Sequence, residues 1–360
     1  MNFPKNITVG PHTGGHIQGI AADLENGFLY CSFTTELVKY DFDGRFIGSA
    51  KGLTGHLGCI AFGPDGRVWG SLEYKNDAIG KGIAGKTGVT HAQAGFYAAI
   101  FDGAKITRPD MDASADGIMT AVHLAEVTDD HLYTAEQNGG GTLCHRFGCS
   151  GIDGMTFAPL PGTVPDENGN RKMYLHVAYG VYGDTTRADN DYQVILAYDV
   201  TDWAKYEQPL TAELHRSGSD RADGKFFVRT GNTTWGVQNL EYEPQTGRMY
   251  MAVYTGKKPI FPNYPMYIAD WNAAPRNEYL AGFGDGTKGD TVPLFRAGLY
   301  HAQSDIFGWT FPLGSTGMIA LGDGKWAFSR NYSNEQGQWS EIRLYRRTGN
   351  APDCFVLAEE

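Results

Sequence analysis

Apolar and polar positions alternate along this chain in short runs, and each run closes on a turn signal instead of continuing with helical spacing. The first block reads Gly19-Ile20-Ala21-Ala22-Asp23, turns at Glu25-Asn26-Gly27, and continues through Phe28-Leu29-Tyr30-Cys31-Ser32 and Leu37-Val38-Lys39-Tyr40-Asp41 to a turn at Asp43-Gly44 and a strand from Arg45 to Ser49. A second block repeats the phrase from Gly58 through Pro64-Asp65-Gly66 to Phe96-Tyr97-Ala98-Ala99-Ile100-Phe101. The turn between first and second strands recurs at Asp129-Asp130, Glu167-Asn168-Gly169, Gln245-Thr246-Gly247 and Asp323-Gly324, residue types that accept the positive φ of tight hairpins. Six such turns predict an all-β fold, a six-bladed β-propeller of four-stranded antiparallel blades forming a single domain over residues 1–360. A seventh blade is left open between Thr201 and Arg229, and the third unit, Gly117 to His145, reads as abbreviated.

Composition agrees with this reading. Aromatics reach 13% and Gly 48 of 360 residues, whereas charged residues make up only 20%, a profile that excludes disorder and coiled coil. A net charge of −11 argues against diffuse attraction to nucleic acid or anionic membrane, so an anionic ligand requires a local basic pocket. The start lacks the apolar stretch of a signal peptide, and the expected location is cytoplasmic. The five cysteines form no C-x-x-C pair and read as reduced, buried thiols. No nucleotide fingerprint is present, and Asn138-Gly139-Gly140-Gly141 has no following lysine to make it a phosphate cradle.

In a propeller the connections between second and third strands, and those between blades, emerge on one face. The unusual residues of this chain fall there: His16 and Gln18, His56, His145, Trp235 and Gln238, and Trp309 at blade junctions. Glu73, Tyr179, Tyr254 and Arg330 are expected at the ends of second strands, and Arg187, Lys257 and Lys258 in long insertions beside them. Long loops on one face and short ones on the other predict a binding face there. Imidazoles, tyrosines and a local basic group suit β-elimination from a uronic acid, with His56 as base, Tyr179 as acid and Arg187 beside them. Glu73, Trp235, Tyr254, Lys257, Lys258, Trp309 and Arg330 are candidates for substrate binding. His16, Gln18, His145 and Gln238 are candidate ligands for a divalent metal such as Mn, Zn or Ca, although no compact ligand motif is present.

The phrases Gly27-Phe28-Leu29-Tyr30, Lys39-Tyr40-Asp41 and Asp43-Gly44 resemble the repeat of gluconolactonase-like and NHL-type propellers. The His and Gln content of the channel mouth is similar in kind to propeller oligouronide lyases, a resemblance that implies a metal held by His and Gln. The lactonase resemblance implies Ca²⁺ held by Glu, Asn and Asp, for which Glu73, Asn190 and Asn239 are offered. The expected ligand is a small acidic carbohydrate and the expected activity a lyase on short uronate-containing oligosaccharides. The alternatives are a metal-dependent lactonase, a glycosidase using two of Glu73, Glu136, Asp184 and Asp189, and a noncatalytic binding propeller.

Overall fold

The computed structural model describes residues 2–136, 141–211, 213–283 and 286–358, so the stretch Asn138–Gly140 noted above lies outside the described residues. The alternating runs form five antiparallel sheets around one axis. Their innermost strands are Ile17–Asp23, His56–Phe62, Cys149–Ala158, Thr233–Glu243 and Met318–Gly322. Each inner strand packs on the next in chain order, and the last packs on the first, which closes the ring. The N-terminal strand Asn6–His12 pairs with Gly337–Arg347 and supplies the outer strand of the fifth blade, so the two ends of the chain lock the ring together.

The propeller is therefore as expected, with five blades in place of six. Five of the six turns are inter-strand connections, but Asp129-Asp130 lies inside an α-helix, Ala125–Leu132. The expected third unit is not a blade: Met119–Leu124 is the fourth strand of the second blade, and a small hairpin, Thr134–Glu136 with Thr142–Cys144, follows the helix. Nor is there a blade between Thr201 and Arg229, because Gly224–Arg229 is the fourth strand of the third blade.

Each of the five gaps between blades is filled by its own apolar cluster. Trp69 and Tyr179 fill the gap between the second and third blades, Trp271 the next and Trp326 the one after. Aromatic side chains suit these wedges because each buries a large apolar area, worth about 1.5–3 kcal/mol per residue. Polar ties cross the inner ring as well. The Ser32 hydroxyl donates to Gly58 O at 2.6 Å, and Asn239 Nδ2 donates to Gln18 O at 2.8 Å and Ser315 O at 3.1 Å.

The first four inner strands share one irregularity that positions the site. In each, the ladder slips by one residue just after its start: between Ile17 and Gly19, Leu57 and Ile60, Ile152 and Met155, and Val237 and Asn239. Such a bulge re-aims the extra side chain out of the sheet. The residues at the bulge are Gln18, Gly58, Asp153 and Gln238.

The long connections between second and third strands lie on the bulge face: residues 75–94, which contain the helix Ala78–Thr87, then 182–191 and 256–265. The segment from Arg330 to Trp339 is no insertion; it continues a long hairpin, Lys325–Asn334 with Gly337–Arg347. The opposite face is not uniformly bare, since residues 159–173 form a long connection there.

Candidate active site

A cavity of about 160 Å³ opens at the bulge end of the axis. His16, Gln18, His56, Glu73, Lys75, Ser150, Asp153, Trp235, Gln238 and Tyr254 line it. Four blades contribute, so the site exists only when the ring is closed.

His56 and Glu73 face each other across the first hairpin of the second blade, where cross-strand neighbours meet. His56 Nδ1 approaches Glu73 Oε1 to 3.4 Å, and Lys75 Nζ reaches the same oxygen at 2.5 Å. Glu73 Oε2 accepts from the Ile152 backbone N–H at 3.1 Å, which ties the pair to the third blade. This approach requires glycine at 151: its φ is +141°, and a Cβ there would lie 2.1 Å from Glu73 Oε2. Lys75 also faces Asp77 at 3.7 Å, and only 5% of its side chain is exposed.

Asp153 sits beside this row, its Oδ2 accepting from Gln238 Nε2 at 3.0 Å, and Gln238 donates in turn to Trp235 O. Gly58 leaves room for it, because a Cβ at 58 would stand 3.1 Å from Asp153 Oδ1.

The two carboxyls are driven apart. Burial pushes Glu73 up, but the charges of Lys75 and His56 outweigh it and hold the group below the usual carboxylate range. Burial pushes Asp153 up and the Glu73 charge adds to that, so Asp153 is held well above the usual range. Burial would also strip Lys75 of its proton, and the surrounding carboxylates of Glu73, Asp77 and Asp153 outweigh that. Burial lowers His16, with the His56 and Lys86 charges adding, and raises the Tyr254 hydroxyl. The cavity therefore presents a carboxyl held well above the usual range and, beside it, an imidazole paired with an ionised one. Such a split is the usual signature of an acid and a base in one site.

Other expected residues lie elsewhere. Tyr179 is fully buried between the second and third blades, and its hydroxyl donates to Asp130 Oδ2 at 2.7 Å, so it cannot serve as the acid at the mouth. Arg187 spends its guanidinium on Asp189 and on the carbonyls of Cys144 and His145, holding a loop in place. Lys258 is buried, donating to Asn190 and Asp191, and Trp309 is core between the fourth and fifth blades. Lys257 and Arg330 are exposed and do not line the cavity.

His145 does not join His16, Gln18 and Gln238; its Nδ1 lies 2.6 Å from His131 O and its ring packs on Tyr182. The four expected metal ligands form no common set, and no group of three or more His, Cys, Asp or Glu suited to a metal occurs among the described residues. The implied Ca²⁺ ligands are likewise apart, with Asn190 bound to Lys258 and Asn239 tying inner strands together. These residues do not fit a bound metal. Of the carboxylates considered for glycoside cleavage, Glu136, Asp184 and Asp189 border a different surface cavity beside the Thr142–Cys144 strand.

Sequence reasoning missed Asp153 and the role of Lys75. A signal for Asp153 was present: Ile17-Gln18-Gly19-Ile20, Leu57-Gly58-Cys59-Ile60, Ile152-Asp153-Gly154-Met155 and Val237-Gln238-Asn239-Leu240 align on one pattern, and its second position is the bulge. Nothing local marks Lys75.

No family model matches the chain, and no curated protein matches it in sequence. Among solved structures it is similar to the Dos1 propeller, at 10% identity over 96% of this chain and 58% of that one, with a TM-score of 0.35. It is similar also to the soluble aldose sugar dehydrogenase from Escherichia coli, at 10% identity over 95% of this chain and 100% of that one, with a TM-score of 0.39. A third is the calcium-binding protein regucalcin from Agrobacterium tumefaciens, at 12% identity, 95% and 94% coverage and a TM-score of 0.32. Likeness at this level assigns no activity, and the propeller is established by the strand pairing itself.

Proposed function

We propose that the protein is a carbohydrate-active enzyme that cleaves a short uronate-containing oligosaccharide by β-elimination at the axial mouth. The observation that carries this reading is that Asp153, its carboxyl raised by burial, lies with the His56–Glu73 pair in one cavity that also bears Trp235 and Tyr254. The cavity admits one sugar ring, with the rest of the substrate projecting outward. Trp235 offers an apolar face for the ring, and His16 offers a hydrogen bond to its carboxylate. His56, held by Glu73, takes the C5 proton. The C5–H electrons form the C4–C5 double bond as the C4–O4 bond breaks, and Asp153 donates its proton to the leaving oxygen. Lys75 keeps Glu73 ionised, and Glu73 holds the imidazole in place.

The test is the ultraviolet absorbance of the unsaturated product as purified protein meets a panel of uronate oligosaccharides. Absorbance should rise with the native protein and vanish in His56→Ala and Asp153→Asn, while Trp235→Ala should raise KM more than it lowers kcat. The ionised Glu73 beside a protonated Asp153 also favours a second reading, glycoside hydrolysis, which would release reducing ends without absorbance. If neither product forms across the panel, both readings fall and a binding role takes their place.

A further inference from the structure

The inner strands share one direction along the axis, so their far ends enclose a second cavity on the opposite face, of about 320 Å³. Its wall is mostly apolar, with Leu24, Phe62, Phe157, Ile319 and Leu321 among the lining residues. Into it comes one acid, Glu241, from the strand that carries Gln238 to the mouth. Glu241 Oε1 accepts from the Ala320 N–H at 2.9 Å, and Oε2 accepts from the Thr156 hydroxyl at 3.3 Å. Among the described residues no Lys, Arg or His forms an ion pair with it, and the only other titratable group lining the cavity is Tyr242. Burial pushes Glu241 up to about 8, with the two hydrogen bonds opposing the shift.

An acid without a cation in an apolar cavity does nothing for folding that a glutamine would not do at lower cost. Half-buried acids of this kind mark binding sites when a cavity stands open beside them. We infer that this cavity binds a small primary ammonium ion carrying an apolar group, the ammonium meeting the Glu241 carboxylate and the apolar part lying against Phe62, Phe157 and Leu321. The aromatic faces add attraction for the cation. The site lies at the opposite end of the channel from the proposed active site and does not depend on that reading.

Calorimetric titration of the full chain with phenethylammonium chloride, with neutral phenethyl alcohol as control, tests the inference. The ammonium should bind one per chain at least about tenfold more tightly than the alcohol. Binding should release a proton at neutral pH, and affinity should rise by about tenfold per pH unit up to about pH 8, as Glu241 gives up its proton. Glu241→Gln, whose amide oxygen still accepts from Ala320 and whose NH2 group can donate to the Thr156 hydroxyl, should lose about tenfold or more in affinity, whereas His56→Ala at the far end should bind normally. Equal affinity for ammonium and alcohol, unchanged binding in Glu241→Gln, or no binding to the native chain would each overturn the inference. Should Glu241→Gln fold poorly, proton release by the native protein decides between the outcomes.

Discussion

Removing the charge of Glu73 while keeping its shape probes the centre of the site. In Glu73→Gln the amide still offers an acceptor to the Ile152 N–H, but Lys75 loses the carboxylate at 2.5 Å and retains Asp77 at 3.7 Å and the more distant Asp153. Glu73 and Lys75 have 2% and 5% of their side chains exposed, so solvent cannot replace the lost partner. Stranding one member of a buried pair costs about 3–5 kcal/mol, and the surviving Asp77 contact places this case near 3 kcal/mol. Lys75→Met should cost a similar amount by stranding Glu73, while the double variant should be less destabilised than the sum by about 2 kcal/mol. Urea unfolding of the four proteins at pH 7 measures all of these. The pH dependence has a definite sign. Because Glu73 is held below its unfolded value, the native pair contributes fully above about pH 4.5 and is lost as pH falls through the folded value. The deficit of Glu73→Gln should therefore be the same at pH 7 and pH 5 and shrink in stronger acid. A Glu73→Gln protein within about 0.5 kcal/mol of native at pH 7 would refute the reasoning, as would strictly additive single variants.

Asp153→Asn should lower turnover by about a hundredfold or more as its general acid is removed. It should also gain stability over the native protein as pH rises from about 4 through neutrality, because a raised carboxyl loses its contribution in that window; parallel denaturation curves at pH 5 and pH 8 would contradict this. Gly151→Ala places a Cβ 2.1 Å from Glu73 Oε2 at a φ of +141°, and a melting scan should show a loss of about 3 kcal/mol together with reduced activity. Tyr179→Phe should cost about 1–3 kcal/mol through the lost bond to Asp130 yet leave kcat within about twofold; a collapse of kcat in a folded variant would return Tyr179 to the chemistry.

Tyr179 also shows what a linear reading cannot resolve. The sequence places it with Glu73 and Tyr254 at the end of a second strand, but register separates them. Glu73 pairs with His56 and Tyr254 with Thr234, whereas Tyr179 pairs with Ile152, the position that Leu57 and Leu72 fill in the second blade. The residue facing the mouth in the third blade is Gly180, and a slip of one residue turns a side chain from channel to core. The blade count failed for a related reason. Asp-Asp is a fair turn signal by composition, but Leu124, Val127, Thr128 and His131 are buried at helical spacing around it, a pattern visible in the sequence. Hairpins, the bearing of the long loops and the placing of His56, Gln18 and Gln238 were legible because each depends on local pattern. Asp153 and Lys75 act through neighbours distant in sequence or in the fold, and their charges acquire meaning only when the ring closes.

The shared bulge explains how a repetitive scaffold produces one asymmetric site. Four inner strands aim a residue toward the axis at the same height, and four acids there would repel one another. The chain instead places one acid, Asp153, between an amide that donates to it and a glycine that leaves it space. Three residues beyond Gln238, the same strand carries Glu241 into the opposite cavity, there a single acid with no ion pair among the described residues. Both ends of the channel thus hold a carboxyl that burial keeps protonated near neutrality, and both must be charged at a cost as pH rises. Since each is raised above its unfolded value, their losses fall in the same window, from about pH 4 to pH 8, and reinforce one another. Opposing them, burial lowers His12, His123, His131 and His176 to about 4, so folding excludes their protons and stability rises with pH between about 4 and 6.5. Above about pH 6.5 the two carboxyls act without that opposition, so native stability should fall from there toward pH 8, and the double variant Asp153→Asn with Glu241→Gln should flatten the fall.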